Sequence, residues 1–300
     1  MTNDIRIEEK AFAKVNLTLE IIGKRRDGYH NLASVMQTVD LFDTVSISSS
    51  DEIVVSCDDA EITPENNLAT KAASVLKKKT GISDGAFISI KKNIPVSAGM
   101  GGGSTDAAAT LRGLNKLWKI GLSLDELTHF AADVGSDVPF LVRGGTSLVQ
   151  GRGEDVSPIT AANIPKFLIL APEVSHQNTT EKTASVFAHV NGSMFTRGSL
   201  THKLAARVRS GSDCPPEFFF NQFGTIAEQM FPGWGEQRDQ LMSLGARDVM
   251  LCGAGPSMFT VPPSKELGTA WHLLLTRVHG KRAFLVDPSP ALSLDVETES

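Results

Sequence analysis

Along residues 11–22, Val15, Leu17 and Leu19 alternate with Asn16, Thr18 and Glu20. A period of two predicts a strand with one apolar and one polar face. Asp27-Gly28 is a turn signal, and Val45 and Ile47 mark a second extended stretch over residues 35–47, with residues 53–55 expected to pair beside it. Leu68, Ala72, Val75 and Lys79 then recur at helical spacing, with Asn67 as cap and Gly81 as stop. A strand is predicted over residues 86–92 and a helix over 104–118, its buried face formed by Ala107, Leu111, Leu114 and Trp118. Ser123 and Glu126 form a capping box for a helix ending near Gly135. Gly144, Gly145, Gly151 and Gly153 punctuate strand-like segments around Gln150.

Residues 160–165 suit a linker between two domains, 1–163 and 164–300. The second half predicts a strand at 167–171, helices at 181–190 and 235–244, and a hairpin of 248–252 and 258–261. A helix at 266–278 and a strand at 283–286 follow, and the tail from Pro288 onward is expected to be poorly ordered. Strands and helices mix without strict βαβ alternation, which favours an α+β fold.

Composition narrows the function classes. Apolar residues make up 41% of the 300 and charged residues 21%, with net charge -5. That balance fits a globular protein and argues against nucleic acid as the main partner. Cys57, Cys214 and Cys252 form neither a CxxC pair nor a zinc-ligand spacing. No apolar run approaches the roughly 18 residues of a membrane span. The charged start lacks an apolar signal core, so a cytoplasmic protein without a membrane partner is expected, as monomer or homodimer.

The densest chemical signal is Pro95, Val96, Ser97, Ala98, Gly99, Met100, Gly101, Gly102, Gly103, Ser104 and Thr105, between a predicted strand and a helix. Glycines let backbone N–H groups approach an anion closely, and a helix N-terminus aims further N–H groups at it. Four of the five residues 99–103 are glycine, more than a simple turn needs. The segment lacks the Gly-Lys-Ser/Thr of a P-loop and, with Ser104 in the last position, misses GxGxxG. It is read as a cradle for the phosphates of ATP.

Two further groups have ordinary alternatives. Asp137 sits in a Gly-Ser-Asp-Val-Pro turn, where Asp commonly serves as an N-cap. Lys14 and Asn16 share one face of a strand, where a lysine commonly lies at an exposed edge but can also meet an anion.

Together these segments resemble the GHMP kinases. Pro95, Gly99, Gly101, Gly102 and Ser104 match the family's second motif, with Met100 in place of its usual Leu. Residues Leu251 to Phe259, with Gly253 and Gly255, are similar to its third motif. Asp27, Gly28, Tyr29 and His30 resemble the signature of one branch, which phosphorylates a tertiary C2 hydroxyl of a cytidine diphosphate derivative in the non-mevalonate isoprenoid route.

The resemblance implies ATP and Mg²⁺ as cofactors, Lys14 and Asp137 as the catalytic pair, and the 95–105 loop with Asn67 as the ATP-binding residues. It sets the Ser104 and Thr105 hydroxyls near Mg²⁺ or a phosphate oxygen, with Ser104 the candidate metal ligand. Asn16, Tyr29, His30, Thr183, Phe187, Gly253 and Gly255 fall to the acceptor, with Tyr29 and Phe187 facing cytosine. The spacing over residues 176–182 departs from the family pattern. The Asn221 segment keeps only part of its motif and is set aside as peripheral. The implied fold joins an N-terminal domain like ribosomal protein S5 domain 2 to a ferredoxin-like α/β plait. A mevalonate- or homoserine-type kinase, or a silent nucleotide-binding relative, are the alternatives.

Overall fold

The computed structural model describes residues 6–60, 62–172 and 179–294. Its frame is a long antiparallel hairpin, β1 (Arg6–Lys24) and β2 (His30–Ser50). Both strands outrun the stretches predicted for them. The polar half of the β1 alternation is also not solvated: Asn16, Thr18 and Glu20 are buried. Glu20 accepts a hydrogen bond from Thr201 N of the second half, so that face is covered by chain distant in sequence. A buried polar group persists only with partners, and these residues have them.

Next come β3 (Ile53–Cys57), α1 (Leu68–Thr80) and β4 (Gly85–Lys91). Asn67 Oδ1 caps α1 by accepting from Ala69 N, and Gly81 ends it in the left-handed conformation with φ 73°. β3 does not lie beside β2 as expected. It pairs parallel with β4, and β4 pairs antiparallel with the Thr44–Ser50 half of β2. Helix α1 separates β3 from β4, and such a crossover is what a parallel pair requires.

Five elements complete the first half: α2 (Gly102–Leu117), α3 (Leu124–Ala131), α4 (Val138–Arg143) and the strands β5 (Thr146–Gly151) and β6 (Asp155–Pro158). The Ser123–Glu126 capping box forms, but α3 stops at Ala131, short of Gly135. β5 pairs with residues Leu32–Gln37 of β2. Helices α1–α4 bury Leu76, Ala107, Leu111, Leu114, Leu127 and Phe140 against this sheet.

The second half holds β7 (Phe167–Leu170), α5 (Thr179–Ala188), α6 (Ser199–Arg209), β8 (Phe220–Asn221), α7 (Ala227–Met230) and α8 (Trp234–Ser243). Then follow β9 (Met250–Leu251), β10 (Met258–Thr260), α9 (Lys265–Leu273) with a π-helical turn at Leu274–Val278, and β11 (Ala283–Val286). The order β11-β7-β10-β9 makes a separate antiparallel sheet. The short β8 joins the first sheet instead, parallel to β1 at Thr18 and Leu19.

Helix α6 has no counterpart in the predicted elements. It packs Leu204 and Val208 into the core that also takes Val15 and Leu17. The tail is a second correction. Ser289 N donates to Thr38 O at 2.8 Å and Leu292 N to Arg143 O at 2.7 Å, so residues 288–294 are tied across the first half. The remaining tail, 295–300, and the charged start, 1–5, lie outside the described residues, as do residues 176–178 of the 176–182 segment. Among the described residues no helix is long and apolar enough to cross a membrane.

Candidate active site

The glycine-rich segment runs from β4 into α2. Ser97, Gly99 and Gly101 have φ of 56°, 86° and 77°, in the left-handed region. At Gly99 no side chain fits, since a Cβ there would lie 2.0 Å from the Cys252 carbonyl oxygen. Gly101 caps α2 without a side-chain hydrogen bond. Its first-turn N–H groups therefore look out of the helix, and the positive end of the helix dipole lies with them. Gly102 and Ser104 are half-buried, Gly103 is exposed, and Thr105 is buried with its N–H bonded to Gly101 O at 2.8 Å. Asn67 lies at the head of α1, where its side chain serves as the helix cap described above.

Beneath this helix end Lys92 Nζ lies 2.6 Å from both Asp43 Oδ2 and Asp106 Oδ2. Burial opposes charge on Lys92, but Asp106 and Asp43 outweigh it and push the ammonium up to about 12. Burial pushes Asp106 up to about 7, with Asp43 adding to the shift and Lys92 opposing it. Asp43 Oδ1 also accepts from Asn93 N and Ile94 N, which fixes the entry to the loop.

Strand β1 meets the loop at Lys14. Its N–H donates to Met100 O at 3.0 Å. Pairing of β1 with β2 shifts register on both sides of residues 14–16, between Phe12 and Lys14 and between Asn16 and Thr18. Such irregularities re-aim side chains next to sites. Lys14 is 4% exposed on an interior strand, which rules out the edge-lysine alternative. Its ammonium donates to Asn16 Oδ1 at 2.8 Å and lies 3.4 Å from Asp137 Oδ2. Asn16 Nδ2 in turn donates to Ser34 Oγ at 2.8 Å.

Asp137 is at the N-cap position of α4, yet its side chain makes no capping bond. The cap alternative fails, and its half-exposed carboxylate is turned toward Lys14 instead.

The turn at 253–255 closes this centre. A Cβ on Gly253 would fall 2.8 Å from Lys14 Nζ and 2.7 Å from Gly99 O. Ser257 N donates to Ala98 O at 3.2 Å. Asn221, set aside on sequence, braces the turn: its Nδ2 donates to Leu251 O at 2.8 Å and Gly253 O at 2.9 Å. Lys182, also passed over, is buried and donates to Ser97 O and Gly255 O. Nothing local in the chain advertises either residue, because their partners are distant backbone carbonyls. Burial holds the thiol of Cys252 up at about 12, where it is inert.

The aromatic residues lie at the end of the hairpin. Tyr29 is 51% exposed in the turn after β1, where Tyr29 N donates to Asp27 Oδ1 at 3.1 Å and the Arg152 guanidinium lies 5.4 Å from the ring centre. His30 stacks on Phe187 at 5.3 Å, and Phe187 meets Phe223 edge-on at 4.9 Å. Burial, with Lys24 adding, pulls the His30 imidazole below its ordinary value, which favours the neutral ring. Thr183 is half-buried on α5 beside Lys182. The fold thus brings Lys14, Asn16, Asp137, the 97–101 loop and the 253–255 turn into one centre. His30 and Phe187 stack together, and Tyr29 lies exposed on the neighbouring turn against Arg152.

A Gly-rich helix start, an adjacent Lys–Asp pair and a ferredoxin-like second sheet define the class as GHMP kinases. The family model for the GHMP kinases N terminal domain matches residues 67–145. The chain is 37% identical to a 4-diphosphocytidyl-2-C-methyl-D-erythritol kinase of Dehalococcoides mccartyi, over 91% of this chain and 95% of that one. It is 40% identical to one of Shouchella clausii, over 84% of each. A crystal structure of 4-(cytidine 5'-diphospho)-2C-methyl-D-erythritol kinase superposes with TM-score 0.76 at 27% identity, covering 93% of this chain and 98% of that one. Homoserine kinase from Cytophaga hutchinsonii, at 18% identity and TM-score 0.69 over 97% and 96% of the chains, shares the fold. The chain belongs to the family of 4-diphosphocytidyl-2-C-methyl-D-erythritol kinases.

Proposed function

We propose that this protein transfers the γ-phosphoryl group of ATP to the C2 hydroxyl of 4-diphosphocytidyl-2-C-methyl-D-erythritol, a step of the non-mevalonate isoprenoid precursor pathway. The observation that carries this is the Lys14–Asp137 pair, 3.4 Å apart and bonded through Lys14 N to the phosphate loop at Met100 O. Phosphoryl transfer needs little covalent chemistry from the protein, so positioning and charge stabilisation dominate.

The triphosphate lies along the 95–105 loop, on the first-turn N–H groups of α2. Asp137 Oδ2 accepts the proton of the acceptor hydroxyl as its oxygen attacks the γ-phosphorus in line. Lys14, held by Asn16, keeps the attacking oxygen in place and offsets the developing negative charge. The bond to the β–γ bridging oxygen breaks, ADP leaves, and the proton passes from Asp137 to solvent.

Tyr29 and Phe187 supply aromatic faces for cytosine, and His30 a ring nitrogen for its polar edge. Tyr29 stands apart from the His30–Phe187 stack, so a base between the two faces requires the exposed Tyr29 ring to turn inward. Gly253 and Gly255 bring backbone close to the acceptor diphosphate.

Among the described residues no group of three or more His, Cys, Asp or Glu is placed to hold a metal ion. Mg²⁺ therefore fits here as the partner of the nucleotide's own phosphates, with the half-buried Ser104 hydroxyl as its protein contact. When bound it would neutralise charge on the β- and γ-phosphoryl oxygens.

A division at residues 163 and 164 is supported by the change of sheet from β6 to β7, β8 being the strand of the second half that pairs in the first sheet; in this reading the acceptor and ATP meet between the halves. An absence of nucleic-acid partners fits the net charge of -5. A coupled ADP-release assay tests the whole. Turnover with the cytidyl acceptor, and none with mevalonate or homoserine, is expected. Equal turnover on all three, or none at all, overturns the proposal.

A further inference from the structure

Lys182 is a lysine on α5 with 5% of its surface exposed. Its ammonium donates to Ser97 O at 2.5 Å in the phosphate loop and to Gly255 O in the opposing turn. An ammonium has three donors, so among the described residues these two carbonyls leave one N–H uncommitted. Carbonyl dipoles only partly offset the cost of burying a full charge. Among the described residues no carboxylate forms an ion pair with it. The charge that acts on it is a like one, Lys14, whose own ammonium abuts the same turn at Gly253. Two buried cations against one glycine turn, with only the Asp137 carboxylate beside Lys14 to offset them, leave the centre with net positive charge. A bound anion offsets it.

We infer that Lys182 is a phosphate-binding residue at the seam between the 95–101 loop and the 253–255 turn, where its ammonium exchanges the Ser97 and Gly255 carbonyls for phosphate oxygens of a bound nucleotide. It sits where donor and acceptor phosphates converge, so it serves the donor triphosphate or the acceptor diphosphate. Ser97 is a non-glycine residue held at φ 56°, and its carbonyl is one of the two that Lys182 holds. Among the described residues the charge acting on Lys182 is that of Lys14 on β1, which itself faces Asp137 before α4 at 3.4 Å. Burial, with Lys14 adding, pulls the Lys182 ammonium down to about 8, which makes its charge pH-sensitive in the working range.

This inference rests on the kinase reading, and its test is independent of turnover. Calorimetric titration of the full chain with a non-hydrolysable ATP analogue, and separately with CDP, tells which phosphate source Lys182 meets. Lys182→Met weakens one of the two by about 10-fold or more, as loss of a charge-assisted hydrogen bond implies, while Lys182→Arg stays within about 3-fold. Cytidine, which lacks phosphate, binds Lys182→Met as it binds the wild type. Unchanged affinity of Lys182→Met for both phosphorylated ligands overturns the inference.

Should Lys182→Met fail to fold, the wild type still decides. Its affinity for the phosphorylated ligand falls as pH rises through about 8 and Lys182 loses its proton, whereas Lys182→Arg shows no such fall. The same fall in both overturns the inference. A wild type that binds these ligands but phosphorylates no acceptor overturns the kinase reading alone.

Discussion

Lys14 Nζ and Asp137 Oδ2 face each other at 3.4 Å, one from the middle of β1 and the other from the head of α4. Asp137 makes no cap bond and is partly open to solvent, so its replacement by Asn touches the fold only through the Lys14 charge it leaves without a carboxylate. Asp137→Asn is expected to lower kcat by at least ~10²-fold, the usual contribution of a positioned general base. Steady-state kinetics with a thermal melt checks both halves: an unchanged kcat refutes the catalytic role.

The glycines of the phosphate loop divide into two kinds. Gly99→Ala places a Cβ 2.0 Å from the Cys252 carbonyl oxygen at φ 86°, so the loop must move away from the 253–255 turn. Gly103 is the contrast, since the nearest atom to its added Cβ is Leu68 Cδ1 at 4.0 Å. Gly99→Ala should lose ATP-analogue binding and melt earlier, while Gly103→Ala keeps its melting temperature. Calorimetry and thermal denaturation of the two variants together make the comparison.

Asn221 holds the carbonyls of Leu251 and Gly253 from below the turn. Asn221→Leu leaves both unpaired in a buried setting, at roughly 1–3 kcal/mol each at most. Urea denaturation should show lower stability, and the KM for the acceptor should rise because Gly253 borders Lys14. Wild-type values for both would return the residue to the periphery.

Lys92 neutralises two buried aspartates, and Lys92→Met leaves Asp43 and Asp106 facing one another. Removing one partner of a buried ion pair costs on the order of 3–5 kcal/mol. The folded pKa of Lys92 is raised from 10.5 to about 12, so its contribution is complete below pH 10.5 and is lost as pH rises through 12. The stability gap between wild type and Lys92→Met, measured by urea denaturation, should narrow between those pH values. A constant gap contradicts the assignment.

Tyr29 is 51% exposed, so Tyr29→Ala leaves the fold intact. Stacking on a base is worth about 1–3 kcal/mol, which predicts a rise in acceptor KM of about 5-fold or more with the KM for ATP unchanged. An unchanged acceptor KM favours a mevalonate- or homoserine-type acceptor over a cytidyl one.

Local pattern determined much of this protein. Helix α1 with its Asn67 cap and Gly81 stop, the Ser123–Glu126 box and the strand-to-helix glycine run were legible in the chain. Caps, turns and phosphate loops are built from neighbours, so their residue types stand side by side. The motif residues Lys14, Asp137, Gly99 and Gly253 were legible too, though only as separate segments. The tertiary structure decided what those segments do to one another. It covered the polar face of β1, paired β3 with β4, laid α6 under the hairpin and tied residues 288–294 across the first half. It also brought in Asn221 and Lys182, whose partners are the backbone carbonyls of Leu251, Gly253, Ser97 and Gly255. A carbonyl acceptor is common to every residue type, so no sequence pattern marks which side chain will reach it. Packing alone made that choice.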